Sequence, residues 1–176
     1  LPIGSYAFSQ GLESAIEIQW LHDQQSVFRW LHIQLQESIT YLDLPLLCRQ
    51  LDALGKNDQQ ALLVWNYYAL ACRETAELRL SDTATGEALI RLLKNLDTCP
   101  PYFDTSYFDT IALVREKEVS FLSAFALAAY CWRIHKRSAC LGYAWSWLEN
   151  QTAAATKLLP LGQTHAQRLI DQLLPQ

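Results

Sequence analysis

Charged residues are scarce in this sequence. Lys, Arg, Asp and Glu make up 18% of its 176 residues, against about 25% in a typical soluble domain. Such a low content of charged residues indicates a subunit that has large contacts with other proteins. The net charge is −4, and no basic stripe is interleaved with aromatic residues, which argues against binding to nucleic acid.

Long apolar segments are also absent. The longest candidate, residues 121–132, contains Ser123 and is followed by Arg133, so it falls short of the roughly 20 apolar residues of a membrane span. This segment predicts a buried core helix, and we expect no association with a membrane.

The chain contains no methionine, not even at position 1, and none of its cysteines forms a Cys-x-x-Cys motif. There is also no leader in which a basic stretch is followed by an apolar one. Since neither an initial methionine nor such a leader is present, we expect that the native start of the protein is missing. Single cysteines spread along apolar stretches are typical of thiols in a reducing cytoplasm, which is the predicted location. They are Cys48, Cys72, Cys99, Cys131 and Cys140.

Motifs for catalysis and nucleotide binding are missing as well. There is no Gly-x-Ser-x-Gly, no phosphate-binding Gly-x-x-x-x-Gly-Lys and no Gly-x-Gly-x-x-Gly, so we predict no catalytic and no cofactor-binding residue. Only Cys131 and His135 have the i, i+4 spacing of helical metal ligands, and two ligands do not complete a zinc or nickel site. A buried thiol and a histidine at a helix end are the favoured interpretation, and no metal ligand is predicted.

Helical periodicity dominates the chain. It predicts an all-α fold, a single compact domain of about eight to ten helices over residues 1–176. The first helix contains Gly11, the second includes Val27 and Leu35, and the third has Pro45 in its first turn. Asp58 caps a helix that continues to about residue 72. The remaining predicted helices cover residues 86–96, 119–134, 138–159 and 163–174.

The predicted helix over residues 138–159 has two stripes. Leu141, Trp145 and Leu148 have ordinary core spacing. The second stripe, which runs from Tyr143 to Lys157, is rich in small residues, so another helix could approach it closely. Lys157 either stabilises the helix dipole near the C-terminal end or contacts an acidic or phosphate-bearing surface of a partner.

Residues 72–79 are dense in charge within an apolar chain. Arg73 and Glu77 have i, i+4 spacing, and such an exposed pair contributes only about 0.3–0.5 kcal/mol. The segment is therefore either a solvated helix end or a buried or interfacial hydrogen-bonding cluster, because the arginine fork suits carboxylate recognition.

Seven short segments together resemble the urease accessory protein F (UreF) family. They occur in the family's order and at similar spacing, and they extend over nearly the whole chain. They are residues 1–6 (LPIGSY), 9–13 (SQGLE), 43–46 (DLPL), 70–75 (LACRET), 77–79 (ELR), 141–143 (LGY) and 157–163 (KLLPLGQ).

The resemblance implies an all-helical protein that forms a homodimer and has no chemistry of its own. It further implies an adaptor that binds accessory protein UreD (also called UreH) and the GTPase UreG, and that regulates GTP-dependent nickel insertion into apo-urease. Nickel and GTP would be handled by the partners. Lys157 would face the GTPase. The other residues implied in partner contacts are Glu13, Arg73, Glu74, Tyr143, Pro160, Gly162 and Gln163.

Members of that family have a helical segment before the first matching string and an arginine-rich C-terminal tail that helps to bind UreD. We expect that this chain lacks both. Two other hypotheses remain open at this stage. One is a small all-helical enzyme in which Glu13, Arg73 and Glu74 line a pocket. The other is nickel storage through Cys131, His135 and Cys140.

Overall fold

The structure, a computed structural model, describes residues 10–96, 118–159 and 161–173. All regular secondary structure in these residues is helical, which confirms the predicted all-α class. A π-helical segment, Leu35–Asp43, lies between the second and third α-helices. The α-helices are α1 (Leu12–Glu17), α2 (Gln24–Gln34), α3 (Leu44–Gly55), α4 (Gln59–Ala71), α5 (Ala76–Leu96), α6 (Phe121–Cys131), α7 (Lys136–Leu158) and α8 (Gln163–Leu173).

Helix α2, the π-helical segment and α3 follow one another without a break. The described residues therefore contain seven separate helices, fewer than the eight to ten that were predicted. Pro45 was expected to mark a new helix because proline lacks the backbone N–H of an interior turn. The π-helical turns end just before Pro45, and both Asp43 and Leu44 keep right-handed helical dihedrals. The wider turns accommodate the proline, so the helix continues through it.

Two glycines account for further differences from prediction. Gly86 does not begin a short helix but lies inside α5, and a Cβ atom there would overlap the backbone of residues 119–121. Glycine at this position lets α5 approach the segment before α6. Gly11, which was predicted to lie inside the first helix, lies outside it. It precedes α1 with φ of +87°, a left-handed conformation that glycine adopts at little cost.

The helices pack around two apolar cores. The first is formed by α3, α4, α5, α6 and the beginning of α7, with fully buried Leu47, Leu62 and Leu122. The second is formed by α1, α2, the end of α7 and α8, with fully buried Leu31 and Leu169. Helix α7 contributes to both, so its 23 residues join the two halves of the fold.

Because α7 serves two cores, its buried face changes along its length. Tyr143 is buried near the beginning, whereas Leu148 and Ala155 are buried near the end. Leu141 and Trp145, predicted as core, are 54% and 44% exposed. The single core stripe predicted for this helix is thus wrong for its first half. In the described part of the chain no helix is long and apolar enough to cross a membrane.

Candidate functional site

A buried ionic cluster lies where the π-helical segment, the end of α4, the start of α5 and α7 meet. The chain leaves helical geometry after α4, and Arg73 in this connection directs its side chain inward. Its Nη1 donates to Oδ1 of Asp43 at 3.1 Å and its Nη2 donates to Oδ2 of the same residue at 3.4 Å. This two-pronged contact suits a planar guanidinium and a carboxylate. The buried alternative is therefore confirmed for Arg73, whereas Glu74 and Glu77 of the same segment are exposed, and the helical pairing of Arg73 with Glu77 is wrong.

Two further side chains complete the cluster. Asp82, on α5, places Oδ1 3.3 Å from Nε of Arg73. Its Oδ2 accepts a hydrogen bond of 3.3 Å from the backbone N–H of Phe121, at the first turn of α6, where the helix dipole favours a negative charge. The hydroxyl of Tyr143 donates to Oδ2 of Asp43 at 2.8 Å. The cluster consequently connects five segments of the fold, namely the π-helical segment, the connection between α4 and α5, α5, α6 and α7.

Burial and charge act in opposite directions on these groups. Burial lowers the pKa of the Arg73 guanidinium, but Asp43 and Asp82 more than offset this, so the pKa lies above its ordinary value. Burial raises the pKa of Asp82 to about 6, since Arg73 compensates only part of the desolvation. Burial, followed by the nearby charge of Asp43, also raises the pKa of Tyr143 well above its ordinary value. Arg73 stays cationic and Tyr143 stays protonated at neutral pH, whereas Asp82 titrates just below it.

The cluster forms one wall of a cleft of about 390 Å³. Polar and apolar side chains from the π-helical segment, α5 and α7 line most of the rest, together with Phe121. The exposed carboxylates of Glu37 and Glu74 also line this cleft, so its charge is predominantly negative. Since the guanidinium is already engaged by two aspartates, the cleft offers hydrogen-bond acceptors rather than a free cation.

The structure brings together only part of the predicted contact set. Arg73, Glu74 and Tyr143 all line the cleft. Glu13 on α1 and Lys157 in the last turn of α7 are exposed and do not line it. The remaining three positions are at the other end of the chain, where Gly162 is exposed, Gln163 begins α8 and Pro160 lies outside the described residues.

Sequence reasoning missed Asp43 and Asp82 as members of the cluster. Asp43 precedes Arg73 by 30 residues, and Tyr143 follows Asp43 by 100 residues. No local spacing connects such distant positions. The only sequence signal was indirect, since an arginine in an apolar chain requires a carboxylate partner when it is buried.

The structure argues against the hypothesis of nickel storage. Cys131 is disulfide-bonded, which also corrects the expectation of a free buried thiol at this position. His135 does not continue α6 but precedes α7, where its Nδ1 accepts a hydrogen bond of 3.3 Å from the backbone N–H of Arg137. Among the residues that the structure describes, no three His, Cys, Asp or Glu side chains are placed to hold a metal ion.

Comparison with known proteins agrees with the sequence resemblance. A family model described as UreF matches residues 21–174. The urease accessory protein UreF of Marinomonas sp. (strain MWYL1) is 48% identical over 173 residues, which are 98% of this chain and 70% of that protein. The protein of the same name from Psychrobacter cryohalolentis is 44% identical over 176 residues, all of this chain and 72% of that protein.

A third relative, the urease accessory protein UreF of Chromohalobacter salexigens, is 42% identical over 175 residues, which are 99% of this chain and 72% of that protein. UreF is a family of accessory proteins and not of enzymes, so the hypothesis of a small helical enzyme is set aside. The geometry agrees, because Glu13 does not reach the cleft that Arg73 and Glu74 line. The family model extends over most of the chain and these relatives over nearly all of it, so the chain belongs to the UreF family of urease accessory proteins.

Proposed function

We propose that this chain takes part in urease maturation as a non-catalytic adaptor. In this proposal it binds UreD (UreH) and the GTPase UreG and regulates GTP-dependent nickel insertion into apo-urease. It acts as a homodimer in the cytoplasm, and the partners bind the nickel and the GTP. The names of the relatives support the connection with urease, and the surface of α7 supports the adaptor role.

The observation that carries the proposal is an unusual exposed face on α7. Leu141 and Trp145 are one helical turn apart and are 54% and 44% exposed. Apart from the neighbouring residues of the same helix, no atom lies within 4 Å of the position that a Cβ of Gly142 would occupy. Large apolar side chains next to a bare stretch of backbone are suited to a close protein contact. This surface, which we call the α7 face, consists of Ser138, Leu141, Gly142, Trp145 and Glu149, all exposed.

The ionic cluster has a supporting role in the same proposal. Arg73 is anchored by Asp43 and Asp82, so it fixes the connection between α4 and α5 on which the exposed Glu74 lies. Glu74 is then presented to a partner from a rigid position. Arg73 and Tyr143 thus contribute to recognition by positioning, since both are largely buried.

The central experiment replaces Trp145 with aspartate. An aspartate in the middle of an apolar contact would be desolvated and have no counter-charge. In a chain that carries the C-terminal tail of the family, we therefore expect co-purification with UreD and UreG to fall at least tenfold. Urease activation in cells that express urease and its accessory proteins should fall with it. Trp20→Asp is the matched control, since Trp20 is 66% exposed and lies outside the α7 face.

Lys157 is tested in the same assay. Lys157→Ala should weaken urease activation at limiting nickel or alter its dependence on GTP, with an unchanged circular dichroism spectrum. Lys56→Ala is the control, because Lys56 is also an exposed lysine at the end of a helix, here α3. Equal effects of the two variants would mean that Lys157 only stabilises the helix dipole.

Normal partner binding by Trp145→Asp would remove the α7 face from the proposal.

A further inference from the structure

Two thiols face each other across the contact between α3 and α7. Cys48 on α3 and Cys140 on α7 are half-buried, and their Sγ atoms are 3.6 Å apart. They are not bonded, and one thiol donates a weak hydrogen bond to the other. We propose that Cys48 and Cys140 are an oxidation site that forms a reversible disulfide between the two helices.

The surrounding contacts hold the two thiols in register. Asp52 lies one turn after Cys48 on α3, and Lys136 lies one turn before Cys140 on α7. The ammonium of Lys136 forms an ion pair with the carboxylate of Asp52. Toward the other end of the same contact, the hydroxyl of Tyr143 donates a hydrogen bond to Asp43, which directly precedes α3. The helices therefore run antiparallel here, with polar contacts on both sides of the thiol pair.

The distance between the sulfur atoms is compatible with bond formation. A disulfide has an S–S length of about 2.05 Å, so the two Sγ atoms must approach by about 1.6 Å. Side-chain rotation can supply most of this movement, because each cysteine has a single rotatable bond that places its sulfur. Cys72 provides the contrast. It is also a half-buried free thiol, but it lies at the cleft and no described residue offers it a thiol partner.

The oxidant that the proposal requires is a peroxide. One thiolate attacks hydrogen peroxide, which gives a sulfenic acid and, after protonation, one molecule of water. The second sulfur then attacks the sulfenic acid and releases a second water, so that two thiols and one peroxide yield one disulfide and two waters. Burial, followed by the hydrogen bond to Cys48, raises the pKa of Cys140 to about 11, while Lys136 acts in the opposite direction. The reaction should therefore accelerate as the pH is raised from 7 toward 10.

The disulfide would change the surface that the adaptor role uses. Cys140 lies between Ser138 and Leu141, so a covalent bond to α3 would fix the start of the α7 face against the first core. This consequence rests on the proposed function, whereas the oxidation site does not.

The test uses the full chain treated with a small excess of hydrogen peroxide and digested without reduction. We expect mass spectrometry to find the Cys48 peptide joined to the Cys140 peptide, and dithiothreitol to separate them. The bond closes a long loop, so the melting temperature of the oxidised protein should rise by roughly 5–10 °C. Cys48→Ser and Cys140→Ser should each abolish both effects, and Cys72→Ser should preserve both.

Separate sulfinic acids on Cys48 and Cys140, or two unmodified thiols under conditions that oxidise Cys72, would overturn the proposal. Joined peptides with no effect of Cys48→Ser on the temperature shift would also overturn it, because the shift would then come from another site. A normal disulfide in a protein that does not bind UreD or UreG would leave the oxidation site standing and reject the adaptor role alone.

Discussion

The buried ionic cluster and the surface ion pairs of this protein both join a basic side chain to carboxylates but differ in their surroundings. In the buried cluster the side chains of Arg73, Asp43 and Asp82 are only 14%, 4% and 10% exposed. In the surface pair between Lys136 and Asp52 the side chains are 41% and 53% exposed. The buried cluster lies between helices from several parts of the chain, whereas the surface pair spans one helical contact.

This difference in exposure decides what each pair does. Water screens the surface pairs and solvates either partner when the other is absent, so their contribution to the free energy of unfolding is about 0–1 kcal/mol. The buried carboxylates have lost most of their water, and Arg73, Tyr143 and the backbone N–H of Phe121 compensate for that loss. The buried cluster is therefore sensitive to the removal of any one member, even though its net contribution to stability is modest.

The largest effect is expected for Arg73→Leu. This change leaves Asp43 and Asp82 buried without a counter-charge, and we expect the free energy of unfolding to fall by about 3–5 kcal/mol. Urea denaturation followed by circular dichroism measures it. The matched control is Arg79→Leu, because Arg79 pairs with Glu118 near the surface and its side chain is 40% exposed. A loss of about 1 kcal/mol or less is expected for the control, and similar losses for both variants would contradict the comparison.

A smaller effect is expected for Tyr143→Phe. The variant removes one hydrogen bond to a charged carboxylate and keeps the packing of the ring against Phe121 and Phe125. We expect a loss of about 1.5–3 kcal/mol in the free energy of unfolding, because Asp43 retains its contact with Arg73. Tyr41→Phe, at a tyrosine that is 72% exposed, should change stability by less than about 0.5 kcal/mol. If both variants were equally stable, the hydroxyl of Tyr143 would not support the cluster.

The smallest effect, and the most specific, concerns the pH dependence of Asp82. Its pKa in the folded chain is about 6, above the ordinary value of 3.8. Between these two values the folded state holds the proton more tightly than the unfolded state does. The stability that this group contributes is therefore fully present below about pH 4 and is lost as the pH rises through 6.

In Asp82→Asn this titration is absent. The stability of the variant relative to the unsubstituted protein should therefore rise between pH 4 and 6 and stay constant above pH 7. Denaturation at a series of pH values measures this difference, with Asp171→Asn on the surface of α8 as the control. A relative stability that falls over the same interval would mean that Arg73 keeps Asp82 ionised and that burial is the weaker influence.

The sequence predicted the elements better than their junctions. Asp58 was assigned as a helix cap, and its carboxylate accepts from the backbone N–H of Ala61 at 2.9 Å, because capping depends on residues three positions apart. Pro45 and Gly86 were interpreted as helix boundaries from intrinsic preference alone. Both lie inside helices, since a π-helical segment accommodates the proline and the close approach of another segment requires the glycine.

The candidate site was predictable only in part, for the same reason. The charge density around Arg73 indicated a cluster, but it could not name Asp43, Asp82 or Tyr143 as partners. On α7, one periodic stripe was assigned to the core although the helix packs on two cores with different faces. A pattern in a single helix records its apolar positions, but it does not record which neighbours cover them.

The sequence by itself determined the helical class, the membership of the UreF family and the lack of recognisable catalytic motifs. These properties depend on local periodicity and on the order of short motifs along the chain, both of which can be recognised without a structure. Only the tertiary structure decided that Arg73 is buried between two aspartates, that Trp145 is exposed and Tyr143 is not, and that Cys48 faces Cys140. Burial and contact between distant residues depend on how the helices pack. The free energy of packing arises between segments that are far apart in the sequence, so no short stretch of sequence determines it.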